Sequence, residues 1–157
     1  MKRIPGEVRR FLEEQGCVVV SSIDKKGRPH CSCKGIVKIG PGSAIYVLDL
    51  YRAATYQNIR RNPKVNITAF DEHRFKGYCL KGKAKIIPAE KLTSAILKAW
   101  ERRIASRITQ RLIRNIRQEQ GQSRHPEALL PKPTHMVVIE VEDIVDLTPH
   151  HLKEGGI

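Results

Sequence analysis

The chain has 157 residues, 40% of them hydrophobic and 29% charged, enough for one domain with a real core and too few for two of ordinary size. No apolar run approaches the length that crosses a bilayer as a helix, and the longest, "CVVVSSI", is strand-sized. The formal charge of +13 creates a positive field that attracts nucleic acid, acidic membrane or phosphorylated small molecules, and does not choose among them.

The start "MKRIPGEVRRFLEEQG" is basic but has no apolar h-region or small-residue cleavage site, so the expected location is the cytoplasm. Ile4, Val8, Phe11 and Leu12 recur at helical spacing between Pro5 and Gly16 and predict a short amphipathic helix. "CVVVSSI" predicts a strand, "DKKGRP" a turn in which Gly27 takes a positive φ, and "HCSCKGIVKI" a second strand. After the turn "GPGS", "AIYVLDL" predicts the third strand. "VNITAFD" and "GYCLKGKAKII" follow as β-branched or alternating segments, and "THMVVIEVEDIVDL" predicts the last strand, approached through Pro126, Pro131 and Pro133.

Between these last strands lies a helical insertion, about residues 88–125, in which Leu92, Ile96, Trp100, Ile104, Ile108, Leu112 and Ile116 recur every fourth residue. A four-residue step overshoots the helical turn by about 40° each time, so the stripe winds round the axis. The helix is therefore expected to bend, to break near Ser106 or Gly121, or to bury different faces along its length. The expected whole is one domain over residues 1–157, mainly β with helices. The pattern is that of a small antiparallel barrel, with an N-terminal helix, a short helix after the third strand and the long basic insertion before the last.

The cysteines Cys17, Cys31, Cys33 and Cys79 fall on or beside predicted strands, with Cys31 and Cys33 on one face. "CSC" lacks the C-x-x-C spacing and a second pair, so no metal site is expected and the residues are read as small buried hydrophobes, a reactive or metal-binding role being the alternative. No His, Cys and Asp set has the spacing of a hydrolytic triad.

The stretch "DLYRAATYQNIRRNPKV", Asp49 to Val65, runs from a strand into a helix. A helix N-terminus presents free backbone N–H groups and a positive dipole end, which suits an anion. Arg52 can fork onto a phosphate, Thr55 offers a hydroxyl in the first turn, and Asn58 follows on the same face. The plainer alternative is that Thr55 caps the helix and Arg52 is solvated.

The order of these segments resembles the FMN-binding split barrel of the pyridoxamine 5'-phosphate oxidase-like families. There a strand leads into a helix close to K-T-x-x-N-[IL]-x-x-N-P-x-V, and a strand containing G-x-A follows. Here the matching residues read "ATYQNIRRNPKV" and "LKGKAKI", with "DKKGRPH" and "VVIEVEDIVDLTP" also in place, over about residues 6–88 and 134–149.

The resemblance implies a six-stranded antiparallel split barrel of Greek-key type and a homodimeric FMN flavoprotein, an oxidoreductase acting on a small substrate, with deazaflavin as the second choice of cofactor. It implies that Ser32, Cys33 and Lys34 run beside the ring or ribityl chain, that Leu48, Asp49 and Leu50 supply backbone contacts, and that Arg52, Ala54, Thr55 and Asn58 surround the phosphate. A cation such as Lys34 near the N1/C2 side of a flavin favours the anionic reduced ring. Catalytic residues are not legible. Ala54 departs from the family pattern, which has a basic residue there; the lost hydrogen bond to a charged group is worth about 1.5–3 kcal/mol, with Arg52 as the candidate replacement.

Arg102, Arg103, Arg107, Arg111, Arg114 and Arg117 make the insertion the densest positive region. It reads as a solvated or intersubunit face, an arm for a small anionic substrate, or a nucleic-acid contact. The aromatic share of 5% disfavours the last. The alternative to a flavoprotein is a cofactor-free basic split barrel that holds nucleic acid or another polyanion.

Overall fold

The computed structural model describes residues 2–116 and 133–153. Among these residues the elements are α1 (Gly6–Glu14), β1 (Val18–Ile23), β2 (Pro29–Lys34), β3 (Ile36–Ile39), β4 (Ala44–Val47) and α2 (Ala54–Arg61). They continue with β5 (Lys64–Asp71), β6 (Lys76–Pro88), a 3-10 turn (Ala89–Lys91), α3 (Ser94–Ile116), β7 (His135–Asp146) and α4 (His150–Lys153). The strands form one curled antiparallel sheet in the order β2-β1-β5-β6-β7-β4-β3, a split barrel in which β6 and β7 are the longest pair.

The strand count corrects the expected six to seven. "HCSCKGIVKI" is two strands separated by Gly35, and the halves pair with different partners, β2 with β1 and β3 with β4. Because β2 and β3 are the two ends of the sheet order yet adjacent in the chain, the turn at Gly35 brings the sheet's edges together. The Gly35 carbonyl accepts from the Leu48 N–H at 2.8 Å. Period-two alternation fails across this join, since Ile36 and Ile39 are both buried three residues apart where the β3–β4 register shifts.

Inward-facing residues alternate along the strands: Val18 and Val20 on β1, Val65 and Ile67 on β5, Leu80 and Ala84 on β6. Fully buried side chains such as Leu12, Ile45, Ile67, Leu80 and Ile139 each contribute about 1.5–3 kcal/mol. Helix α1 adds Val8, Phe11 and Leu12 to this core, and Phe11 meets Tyr78 edge-on at 5.2 Å. β7 begins with five consecutive buried residues because α3 covers its outer side, where Leu92 and Ile96 pack on Met136.

The turn "DKKGRP" is built by Asp24, whose carboxylate accepts from the N–H groups of Lys26 (2.7 Å) and Arg28 (2.9 Å), with Gly27 at φ 77°. The Arg28 N–H chiefly holds the Asp24 carboxyl below its usual range. Its contribution to the turn is therefore full above the ordinary carboxylate pKa and is lost as pH falls through the lowered value.

Helix α3 runs unbroken through Ser106, so the expected break there is not found; Gly121, Pro126, Pro131 and Arg117 lie outside the described residues. The stripe's drift is absorbed by burying its start, Leu92 and Ile96, and leaving Leu112 exposed. The cysteines also need correction: Cys17, Cys31 and Cys33 are exposed and Cys79 is half-buried. Cys31 and Cys33 do share a face of β2, but it is the outer one. Among the described residues no helix is long and apolar enough to cross a membrane.

Gly82 sits where the β6–β7 register shifts, and a Cβ there would overlap the Glu140 carbonyl oxygen and lie 3.2 Å from the Val141 Cα. Both neighbours are backbone in the longest strand pair, so neither can move cheaply. Gly82→Ala is expected to destabilise by about 3 kcal/mol, read as a lowered urea midpoint at unchanged slope, whereas Gly16→Ala, where a Cβ meets nothing, leaves it unchanged.

Candidate functional site

The segment after β4 leaves the sheet at Leu48, crosses beside the end of β2 and enters α2 at Ala54. It brings together most of the polar residues named above at the place where the sheet's edges meet. Helix α2 is amphipathic, burying Thr55, Asn58 and Ile59 and exposing Arg60 and Arg61. Its last turn is basic, its first turn holds no acidic residue, and the N-cap Ala53 provides no side-chain hydrogen bond. The positive end of the helix thus lacks the side-chain acceptor that such ends usually have.

The reading in which Thr55 caps this helix does not hold. Thr55 is buried, and its hydroxyl is 2.9 Å from that of Ser32 on β2. Asn58 is also turned inward, donating to the Ser22 hydroxyl at 3.0 Å and accepting from Arg61 at 2.8 Å. Arg52 and Ala54 are exposed at the helix entrance, with the Arg52 guanidinium 5.7 Å from the centre of the Tyr56 ring. Ser32 and Lys34 face α2 and the segment after β4, whereas Cys33 points from the opposite side of β2. Leu48 and Leu50 are half-buried on either side of Asp49.

Lys34 and Asp49 make the site's strongest contact. The ammonium donates to the Asp49 carboxylate at 2.6 Å, with the lysine side chain 17% exposed and the aspartate 1%. The other carboxylate oxygen is 3.4 Å from Nε2 of His135, which is equally buried at the start of β7. His135 Nδ1 lies 3.2 Å from the Thr134 hydroxyl, and Tyr56 of α2 stands edge-on to the imidazole at 4.9 Å. With Lys34 charged and Asp49 ionised the pair is neutral. The arrangement then suits a neutral imidazole that donates from Nε2 to the carboxylate and accepts at Nδ1 from Thr134.

Sequence reasoning named Lys34 and Asp49 separately and missed their pairing, and it missed His135 and Tyr56 altogether. A histidine at the head of an otherwise apolar strand, "THMVVIEV", was the available signal, because a polar side chain entering a core needs a partner. Among the described residues no group of three or more His, Cys, Asp or Glu is arranged to hold a metal ion.

Removing one member of a buried pair strands the other. Asp49→Ala is expected to cost about 3–5 kcal/mol of stability, because it leaves both the Lys34 ammonium and the His135 N–H without an acceptor. Lys34→Met is expected to cost less, since the remaining carboxylate keeps His135 and the methionine fills the same volume. Urea unfolding of the two variants measures the order; equal losses would mean that His135 does not lean on Asp49.

The sequence profile of the pyridoxamine 5'-phosphate oxidase family matches residues 4–145. No curated protein matches the chain. Among solved structures, HupZ of Group A Streptococcus is 21% identical, covering 92% of this chain and 94% of its own at a TM-score of 0.66. An F420 reductase is 14% identical, covering 90% and 98% at 0.57. HutZ, the haem storage protein of Vibrio cholerae, is 18% identical, covering 91% and 94% at 0.52. Likeness at these identities is one of fold, and the proteins that share it carry different cargoes. The family is fixed by the profile, which spans the curled sheet, α2 and the Lys34–Asp49–His135 cluster: the chain belongs to the pyridoxamine 5'-phosphate oxidase family.

Proposed function

We propose that this protein is a homodimeric FMN-binding flavoprotein, an oxidoreductase that passes a hydride or electrons between the flavin and a small substrate. The observation that carries the reading is the start of α2: an N-terminus without a side-chain cap, with the exposed Arg52 beside it, inside the matched span and in the segment "ATYQNIRRNPKV" that resembles the family's K-T-x-x-N helix.

The residues fit a phosphate dianion in kind. The free N–H groups of the first turn and the Arg52 fork would hold it, and the Ser32–Thr55 hydroxyl pair lies behind that same turn with lone pairs to spare. Ala54 adds no charge, so Arg52 bears more of the electrostatic load. Lys34 would stand near the ring, held in place by Asp49, and the backbone of Leu48, Asp49 and Leu50 would line its edge. Cys33, on the outer face of β2, and Asn58, tied to Ser22 and Arg61, would act only indirectly. When bound, the flavin supplies the redox chemistry, and the protein supplies binding, orientation and charge.

A dimer is supported by the apolar outer face of the β2-β1-β5 edge, where Val19 is 37% exposed and Phe70 50%. The F420 reductase and HutZ make a deazaflavin and haem the natural competitors in a binding assay. Haem gains nothing from His135, which is buried with both ring nitrogens engaged. The polyanion-binding alternative is weakened because Arg103 and Arg107 of α3 donate to the carbonyls of Gln15 and Gly16, just past the end of α1. Helix α1 has no basic residue in its own last turn, so these arginines do structural work at its negative end.

Arg52→Ala is expected to weaken FMN binding by about 1.5–3 kcal/mol and to leave riboflavin binding unchanged, because riboflavin lacks the phosphate. Ala54→Lys is expected to tighten FMN. Flavin-fluorescence titrations measure both, with light scattering for the dimer. Equal weakening of FMN and riboflavin would overturn the phosphate assignment of Arg52.

A further inference from the structure

Helix α3 packs against β3. Between it, β3 and the end of α1 is an opening of about 380 Å³, the size of a small-molecule site. Its polar lining is Lys38 from β3, Arg102, Arg103 and Ser106 from α3, and one carboxylate, Glu13 from α1. Three cations face one anion. Among the described residues no carboxylate lies within ion-pair distance of any of the three, and Glu13 stands too far off to pair.

The rest of the lining is apolar, formed by Ile36, Val37, Ile39 and Ala99. Behind it a void of about 10 Å³, room for one water, is bounded by Trp100 and Arg103. The indole N–H of Trp100 and the Nε–H of Arg103 are both buried there with no hydrogen-bond partner. Two buried donors with no acceptor are a rarity that asks for an explanation. Burial and the neighbouring Arg107 guanidinium push the Arg103 pKa down against a smaller upward pull from Glu13, and a bound anion would add to that upward pull.

We infer that this opening binds a small organic oxyanion, a carboxylate or phosphate monoester with a short apolar body. The charged head would lie among Arg102, Arg103 and Lys38, and the body against Ile36 and Val37. The site is separate from the start of α2, and its occupancy does not depend on the flavin reading. It gives the arginine-rich insertion a purpose beyond closing α1: the Nη2 of Arg103 holds the Gln15 carbonyl, while Nη1 makes no hydrogen bond among the described residues and remains for a ligand.

Trp100 is the only tryptophan in the chain and bounds the void that shares Ile36, Val37 and Arg103 with the opening, so its fluorescence reports on the adjoining wall. The full-length protein is titrated by calorimetry and tryptophan emission with butyrate, n-butyl phosphate, inorganic phosphate and butylammonium, at constant ionic strength set by chloride. Saturable binding of butyrate or n-butyl phosphate with a change in Trp100 emission is expected, weaker for inorganic phosphate and absent for butylammonium.

Arg103→Gln should weaken binding by about tenfold or more. Because that change also disturbs the contact with Gln15, Glu13→Gln provides the second test. It removes the one like charge from the rim and should tighten binding several-fold, a gain that misfolding cannot mimic. A flat titration with both organic anions, an equal response to butylammonium, or a Glu13→Gln variant that binds no more tightly would overturn the proposal.

Discussion

The buried ion pair between Lys34 and Asp49 is the contact on which the rest of the structure depends. A curled sheet of seven strands has two edges, and here those edges, β2 and β3, are consecutive in the chain. Gly35 turns the backbone from one to the other, and the Lys34–Asp49 pair beside it ties the end of β2 to the segment leaving β4. His135 extends the tie to β7, and Tyr56 to α2. Burying two charges is costly unless they meet, so the pair adds specificity more surely than raw stability: with the edges misaligned, a carboxylate and an ammonium would be left alone in the core.

That closure also decides where the proposed ligand would sit. It leaves the start of α2 facing outward beside Arg52, while Thr55 and Asn58 are drawn inward to Ser32 and Ser22. The three residues read together as a phosphate grip therefore divide into an exposed guanidinium and two side chains that anchor the helix. In the proposed site, backbone N–H groups take the place of the missing basic side chain at position 54.

Much of the fold was legible because local chemistry and global structure agree. The Asp24 turn, the strands with strict alternation, and the helix between Pro5 and Gly16 all appear where their patterns predict. The failures share a cause, which is that contacts between distant segments leave no local trace. "HCSCKGIVKI" reads as one strand because every residue in it suits a strand, and only the pairing partners show that Gly35 divides it. Cys31 and Cys33 were assigned to the interior by residue type, yet the inward positions of β2 belong to Ser32 and Lys34, whose partners lie on α2 and after β4. His135 was invisible for the same reason, its acceptor being 86 residues away. The arginines of α3 read as a solvated or intersubunit face, an arm for a small anion or a nucleic-acid contact, none of which foresees that Arg103 and Arg107 reach back to the end of α1.

Family membership defines the scaffold, and the reaction depends on what the site at the start of α2 carries. The most direct measurement is of bound chromophore. The protein is incubated with FMN and haem together, freed of unbound ligand and denatured, and the released chromophore is quantified by absorbance against protein concentration. The account predicts stoichiometric FMN and no haem. Stoichiometric haem without flavin, or a chain that stays colourless, would contradict it.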